Sequence, residues 1–221
     1  MPKTNITKTI LIIALGLAIG AIAYNKIHPK ALAQSITLAV PFSAQAPNGN
    51  WDRNEDCEET SITMANAYLT GTTEDKLPAD AAQQAINNLK SWEQKNLGYN
   101  ANTGVDATTK MAAGAFGLKI KPLVNFTEND LKTALSDNKP ILLPINARQL
   151  GNPKYQDTGP LYHMIVLRGY DGDNFIVNDP GTEGGDGNSY TFSILKNAAA
   201  DWNQTTKSMD ATRKIALIVS K

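Results

Sequence analysis

The spacing of hydrophobic residues divides the chain into a helical first half and a strand-rich second half. Helices are predicted over residues 57–69, 78–96, 105–118 and 127–137. In the first of these, Ile62, Ala65 and Leu69 fall on one face, as in a helix that packs on a core. In the fourth, Thr127 and Asp130 have the spacing of an N-terminal capping box. The first half is therefore predicted to be α-helical.

The second half of the chain predicts an antiparallel sheet. Runs rich in β-branched and aromatic residues predict strands over 140–145, 161–170, 174–179 and 214–220, and a weaker alternation predicts an entry strand over 35–42. The segment 171–174, DGDN, separates two of these strands and is typical of a hairpin turn. A last helix is predicted over 190–203. Helices followed by an antiparallel sheet, with one late helix, indicate the α+β class.

The N-terminus has the pattern of an export segment. Lys3 and Lys8 precede an apolar run over residues 10–24, which corresponds to a cationic region followed by a hydrophobic region. The run is shorter than the roughly 20 residues that a spanning helix needs. A cleaved signal peptide and a retained membrane anchor over residues 9–27 therefore both remain open, with a buried core helix as a third alternative. Either of the first two places the rest of the chain outside the cytoplasm.

These patterns predict a leader over residues 1–34 and a single domain over residues 35–221. The leader holds four of the 21 basic residues and no acidic ones, so the domain carries 17 − 21 = −4 charges and nothing that favours nucleic-acid binding. Its one cysteine excludes an internal disulfide, and we expect no metal or cofactor. A peptide or protein substrate is the expected partner, and the oligomeric state stays open.

The candidate chemistry rests on one thiol and one imidazole. Cys57, the only cysteine, opens the first predicted helix, where unpaired backbone N–H groups and the helix dipole favour a thiolate and lower a thiol pKa. His28 lies in the leader, so His163 is the only histidine of the domain. His163 lies on the first strand of the predicted hairpin and Asp179 ends the second, so the carboxylate can orient the imidazole. The supply of these residues and the geometry of the hairpin together predict a Cys-His-Asp triad.

Each of these residues also has a purely structural interpretation. A lone cysteine is commonly a small buried hydrophobic residue, although the polar start CEET favours an exposed position for Cys57. His163 can be a packing residue, and Asp179 in the sequence NDPG can be a turn former.

Three residues near the triad are candidates for substrate binding, namely Trp51, Glu58 and Asn178. Trp51 also has an interpretation as a packing residue. Glu58 and Glu59 are expected to point to solvent as helix-starting residues, but they oppose the thiolate if they face it. As a further hypothesis, they select a cationic group of the substrate.

Two stretches resemble a known family. VPFSAQAPNGNWDRNEDCEETSITMANAYL and YHMIVLRGYDGDNFIVNDPGT are similar to the double-glycine (bacteriocin-processing) peptidases and their stand-alone, papain-like relatives, and the resemblance covers residues 38–205. It implies a papain-like cysteine peptidase fold with Cys57 as nucleophile, His163 as general base and acid, and Asp179 as orienting residue. It also implies that the Gln45 side chain donates to the oxyanion. Better-known members have Gly-Pro after the cysteine, where this chain has two glutamates.

The expected function is therefore that of an exported cysteine peptidase that hydrolyses peptide or isopeptide bonds without a cofactor. The alternative is a papain-like binding or scaffolding module at the cell surface that has kept the triad residues but little activity.

Overall fold

A computed structural model describes residues 31–51 and 55–221. Residues 34–221 form one compact unit. The predicted export or anchor segment over residues 9–27 lies outside the described residues. Within the described part of the chain, no helix is both long and apolar enough to cross a membrane.

The described chain alternates helices and strands, which we number in chain order. The helices are α1 (Cys57–Leu69), α2 (Ala79–Leu97), α3 (Val105–Phe116), α4 (Glu128–Ser136) and α5 (Phe192–Ala198). The strands are β1 (Ser35–Thr37), β2 (Lys119–Val124), β3 (Ile141–Ile145), β4 (His163–Asp171), β5 (Asn174–Asn178), β6 (Asn188–Thr191), β7 (Asp201–Asn203), β8 (Ser208–Asp210) and β9 (Ile215–Ser220).

One antiparallel sheet of seven strands organises the fold. Its order is β2-β9-β3-β4-β5-β6, with β1 added beside β4, while β7 and β8 form a separate two-stranded ladder. All five residues of β3 and the first five of β4 are buried, because elements cover both faces of the sheet centre. The helix α1 packs against β4, so the two elements that carry Cys57 and His163 meet in the core.

The mixed fold of helices and antiparallel sheet is confirmed, and most predicted elements occur within two residues of their predicted bounds. α1 has the predicted bounds, and the capping box of Thr127 and Asp130 forms at the start of α4. The predicted hairpin also forms, because Asp171 pairs with Asn174 around a tight turn in which Gly172 has a positive φ of 54°.

The prediction for the last helix was wrong at both ends. Tyr190 belongs to β6, and the side chain of Thr191 caps α5 by accepting a hydrogen bond from the Ile194 backbone. Ala199 is extended and ends the helix, and residues 201–203 form β7. At both ends of the predicted helix, the residues form strands that pair with neighbouring strands, although their local sequence favours a helix.

Two strand predictions also differ from the structure. The entry strand is limited to Ser35–Thr37, the residues that pair with the end of β4. Strand β2 was not predicted, since its lysines and Pro122 hide the strand pattern, yet it pairs along its whole length with β9.

The contact between α1 and α2 buries two acidic side chains. Glu59 on α1 and Glu93 on α2 are 2% and 0% exposed. Burial raises the pKa of both carboxyl groups, that of Glu93 to about 7, and their proximity adds to the rise for Glu59. Two neighbouring buried carboxyl groups cannot both ionise without repulsion and desolvation, so this helix contact favours a pair that keeps a proton.

We expect Glu93→Gln to stabilise the protein increasingly as the pH rises from 5 to 8. The folded state keeps a proton that the unfolded chain releases above its ordinary pKa of 4.5, so this pair loses stability as the pH rises towards 7. Urea unfolding at each pH should show a gain for the variant of at least about 1 kcal/mol at pH 8, since one pKa unit corresponds to about 1.4 kcal/mol. The exposed Glu74→Gln is the control, and equal gains for both variants would contradict the assignment.

Candidate active site

Cys57 is the first residue of α1 and is buried, with 3% of its surface exposed. The preceding residue, Asp56, makes no side-chain cap to the helix and instead binds Lys90 of α2, with 2.8 Å between Oδ1 and Nζ. The N-terminal half of α1 is tied to β4, because the Ser61 hydroxyl donates to the Met164 carbonyl. The thiol therefore lies between a helix N-terminus and the strand that carries the histidine.

Glu58 turns towards the thiol. The Cys57 thiol donates to Glu58 Oε2 at 2.9 Å, and Glu58 Oε1 accepts from the Thr103 backbone N–H at 2.5 Å. Glu58 and Glu59 are 1% and 2% exposed, so the prediction that both point to solvent was wrong. The polar start of α1 also does not expose Cys57, because α2, β4 and the segment around Thr103 enclose this turn.

Burial raises the pKa of the Cys57 thiol, and the Glu58 charge and its hydrogen bond add to the rise. This is opposite to the direction expected from the helix N-terminus alone, because desolvation of the charged form outweighs the dipole here. Burial likewise raises the pKa of Glu58 to about 8, with a smaller contribution from the Glu59 charge. The thiol and its neighbouring carboxyl group thus both favour their neutral forms.

His163 and Asp179 are joined by a short hydrogen bond inside the protein. His163 begins β4 and Asp179 follows the last residue of β5, so the hairpin brings the two side chains together. Nε2 and Oδ1 are 2.7 Å apart, and the side chains are 2% and 0% exposed. Because Asp179 binds Nε2, Nδ1 is the ring nitrogen that remains for the thiol.

Three further donors hold the Asp179 carboxylate. Oδ1 accepts from the Gly181 backbone N–H at 2.9 Å, and Oδ2 accepts from the Tyr155 hydroxyl at 2.6 Å and from the Asn152 amide at 3.1 Å. Burial alone would raise the pKa of Asp179, but the His163 charge and the hydrogen bonds from His163, Tyr155 and Gly181 lower it below its usual value of 3.8. Asp179 is therefore an ionised carboxylate that fixes the orientation of the imidazole.

Asn152 and Tyr155 are site residues that sequence analysis missed. They lie in the irregular segment between β3 and β4, where neither hydrophobic periodicity nor spacing relates them to Asp179. Tyr155 also places its ring edge against the His163 ring, with centroids 6.0 Å apart and an interplanar angle of 88°. Only a polar aromatic residue supplies both the packing and the hydroxyl donor.

Gln45, Cys57 and His163 line one cleft of about 280 Å³. The backbone N–H of Gln45 donates to the Pro180 carbonyl at 2.9 Å, which ties the glutamine segment to the residue after Asp179. The remaining lining residues come from four separate segments, and they are Glu55, Asn102, Pro160, Leu161, Tyr162 and Trp202. Trp202 is half-buried and forms part of the cleft wall.

Asn178, which we predicted to bind substrate, is occupied elsewhere. It is 1% exposed, its Oδ1 accepts from Arg168 Nε at 2.8 Å, and its Nδ2 donates to the Val40 carbonyl at 3.0 Å. It holds β5 against the N-terminal segment instead of facing the cleft. Glu58 is equally unsuited to bind a cationic substrate group, because it is buried behind the thiol. Trp51 is half-buried and is not among the residues that line the cleft.

The loop after Asp179 supports the imidazole from behind. The Asp179 backbone N–H donates to the Gly185 carbonyl at 2.9 Å, which folds the loop back on itself. A Cβ atom at Gly181 would lie 2.9 Å from His163 Nε2, closer than such contacts occur. A Cβ atom at Gly184, by contrast, would meet open space.

In the described part of the chain, no group of three or more acidic, histidine or cysteine side chains is arranged to hold a metal ion.

We expect Gly181→Ala to displace the imidazole from Asp179, whereas Gly184→Ala leaves it in place. The added methyl group at position 181 competes for the space of the Nε2–Oδ1 hydrogen bond. In proton NMR spectra, the downfield resonance of the hydrogen-bonded Nε2 proton should survive in Gly184→Ala and be lost or shifted in Gly181→Ala. An unchanged resonance in Gly181→Ala would contradict the close packing of the loop against the ring.

Comparison with known proteins agrees with this architecture. The crystal structure of a protein from Bacillus anthracis, provisionally described as a C39-like peptidase, shares the fold with a TM-score of 0.53 at 17% sequence identity, over 85% of this chain and 98% of that one. None of the curated proteins matches the chain. The model of the Peptidase C39-like family matches residues 37–210, a segment that contains Gln45, Cys57, His163 and Asp179, and this favours a cysteine peptidase. Because that match covers far more than half of the 221 residues, the chain belongs to the Peptidase C39-like family.

Proposed function

We propose that this protein is a papain-like cysteine peptidase that acts outside the cytoplasm and hydrolyses peptide or isopeptide bonds. The observation that carries the proposal is the shared cleft of Cys57, His163 and Gln45, with Asp179 hydrogen-bonded behind the imidazole. Membership of the Peptidase C39-like family supports the same reaction class.

The first step in this proposal is nucleophilic attack on the substrate carbonyl. His163 Nδ1 takes the proton of the Cys57 thiol, and the sulfur electron pair forms a bond to the carbonyl carbon. The negative charge moves to the carbonyl oxygen, where the Gln45 side-chain N–H and the Cys57 backbone N–H donate to it. Asp179 stays ionised and stabilises the imidazolium through Nε2.

The second step releases the products. Protonated His163 gives its proton to the leaving amine as the C–N bond breaks, which leaves an acyl group on the Cys57 sulfur. A water molecule then loses a proton to His163 and attacks the acyl carbon, and the thiol is restored when the C–S bond breaks. No cofactor takes part in either step.

The substrate proposed for this site is an extended peptide or protein segment. The cleft offers apolar surface from the exposed Leu161 and the half-buried Trp202, next to Gln45, Cys57 and His163. This combination suits a polypeptide, which presents both side chains and main-chain amides. The burial of Glu58 removes it as a specificity residue, so no cationic preference is proposed from it.

A catalytically weak binding module is the second candidate function, and one observation favours it. The Cys57 thiol donates to Glu58, and burial raises the pKa of the thiol, which lowers the thiolate population at neutral pH. A module of this kind would bind peptides in the same cleft without turnover.

Substitutions in the cleft separate the two functions. If the protein is a peptidase, Cys57→Ala and His163→Ala should each lower kcat/KM for a fluorogenic peptide library by a factor on the order of 10³ or more. Gln45→Ala should lower kcat by a factor on the order of 10² without a matching change in KM, because its N–H acts on the transition state. Hydrolysis that persists in Cys57→Ala would exclude the proposed nucleophile.

His28→Ala is the matched control, since it removes the other histidine of the chain. It should keep wild-type turnover. Fluorescence polarisation measures peptide binding separately from hydrolysis. If wild type and Cys57→Ala both bind the peptides and neither forms product, the binding module is supported instead.

The extracytoplasmic location is proposed from the N-terminal pattern of Lys3, Lys8 and the apolar run that follows them. In a bacterial host, the full chain should reach the outer side of the cytoplasmic membrane, where external protease digests it in spheroplasts. The intact mass then separates a cleaved signal from a retained anchor. If the chain instead survives the protease to the same extent as a cytoplasmic marker protein, export is contradicted.

A further inference from the structure

Glu58 touches the reacting atom of the proposed nucleophile. Its Oε2 lies 2.9 Å from Cys57 Sγ, and Glu58 is not one of the residues assigned to the triad. His163 lines the same cleft from the start of β4, whereas Glu58 belongs to the same helical turn as the thiol. The sulfur thus has a potential proton partner that the two-step mechanism does not use.

The hydrogen bonds of Glu58 match a protonated carboxyl group. Oε1 accepts from the Thr103 backbone N–H and, at 3.3 Å, from the Thr103 hydroxyl, which is the pattern of a carbonyl oxygen. Oε2 then corresponds to the hydroxyl oxygen and points at the sulfur. In this state the carboxyl group donates to a thiolate, whereas an ionised carboxylate can only accept the proton of a neutral thiol.

The surroundings of Glu58 disfavour its charge. Its titratable neighbours are Cys57 and Glu59 on α1, Glu93 on α2, Tyr99 before α3 and Tyr162 before β4. Further charged or titratable groups lie next to these neighbours, and they are Asp56 before α1, Lys90 on α2, His163 at the start of β4 and Asp201 on β7. Lys90 is bound by Asp56, and in the described part of the chain no cation contacts Glu58. A buried carboxyl group among other acids prefers to keep its proton.

Glu58 also joins the two walls of the cleft. Thr103, which donates to Glu58, accepts at its carbonyl from the Tyr162 hydroxyl at 2.6 Å, and Tyr162 precedes His163. The contact of Glu58 with the thiol is therefore held from α1, from the segment before α3 and from the start of β4. This fixed position makes the exchange of a proton with the sulfur geometrically direct.

We infer that Glu58 is a second acid–base partner of Cys57 and that its proton decides whether the thiol is held in reserve or released for attack. With Glu58 ionised, the thiol keeps its proton and donates it to Oε2. With Glu58 protonated, its O–H donates to the sulfur while the S–H bond breaks, the electron pair stays on sulfur, and the proton moves to His163 Nδ1. The inference rests on the proposed role of Cys57 as nucleophile.

The direction of the pH effect follows from these two states. The competent state holds one more proton than the reserve state, so it is favoured at lower pH. Burial raises the pKa of Glu58 to about 8, and the reserve state should therefore replace the competent state as the pH rises through that value. Glutamine at this position is a permanent substitute for the protonated acid, because its amide oxygen can accept from Thr103 and its amide N–H can donate to the sulfur.

The test is the pH profile of Cys57 alkylation by iodoacetamide in the full-length protein, from pH 5 to 10. Below pH 7, wild type and Glu58→Gln should react at rates within about threefold of each other. Above pH 8, the variant should react about tenfold faster or more, which corresponds to a thiol pKa lowered by about one unit. Glu74→Gln, which removes an exposed acid far from the charged neighbours of Glu58, should follow wild type throughout.

Two results would overturn the inference. They are an unchanged profile in Glu58→Gln, or a rate that falls by the same factor at every pH, as expected of a residue that only supports the structure. Peptide hydrolysis separates this failure from failure of the proposed function: turnover that needs Cys57 but ignores Glu58 removes the inference alone. A shifted thiol profile without turnover keeps the proton partner and removes the peptidase.

A measurement on the wild-type chain covers the case in which Glu58→Gln does not fold. Infrared spectra from pH 6 to 10 should contain a protonated carboxyl band that titrates near pH 8 and shifts when Cys57 is alkylated, since the two groups share a proton. If no carboxyl band responds to alkylation, Glu58 is not a partner of the thiol.

Discussion

The hydrogen bond between His163 and Asp179 is the interaction on which the rest of the site depends. It buries an ionised carboxylate, and such a group is stable in a protein interior only when donors surround it. The donors come from Asn152 and Tyr155 before β4 and from Gly181 after β5. The hydrogen bonds to the Asp179 carboxylate thus hold the segment before β4 and the loop after β5 in place. The same loop positions the segment of Gln45, because the Pro180 carbonyl accepts from the Gln45 backbone N–H.

The acidic residues beside the nucleophile follow the opposite principle. Glu58, Glu59 and Glu93 are buried, and no cation among the described residues forms an ion pair with them, so the interior favours their neutral forms. The site therefore contains two kinds of buried carboxyl group. Donors keep Asp179 ionised as an orienting group, whereas the absence of such compensation keeps Glu58 able to give or accept a proton. Environment, not residue type, assigns the roles.

This contrast bears on the departure of the chain from the better-known relatives that it resembles. Two glutamates after the cysteine would oppose a thiolate if they were ionised and faced it. The structure directs Glu58 at the sulfur but gives it partners that fit a protonated acid, and it directs Glu59 away, towards Glu93. The pair of glutamates is therefore compatible with the cysteine chemistry proposed for this cleft.

Sequence alone determined the local elements that carry the candidate residues. The start of α1 at Cys57, the capping box of α4 and the hairpin that joins His163 to Asp179 all follow from periodicity, capping and turn chemistry. Each of these acts over a few neighbouring residues, so it can be read from a short stretch of chain. For the same reason, the pairing of His163 with Asp179 was predictable although the residues are 16 positions apart.

Only the tertiary structure decided which side chains are buried and which distant groups meet. The burial of Glu58 and Glu59, the donors Asn152 and Tyr155, and the position of Trp202 in the cleft wall depend on contacts between segments that are far apart in the chain. A polar helix start looks exposed in sequence, because periodicity does not say what covers it. Burial sets both the charge of a carboxyl group and the pKa of a thiol, and burial is a property of the packed chain and not of its local pattern.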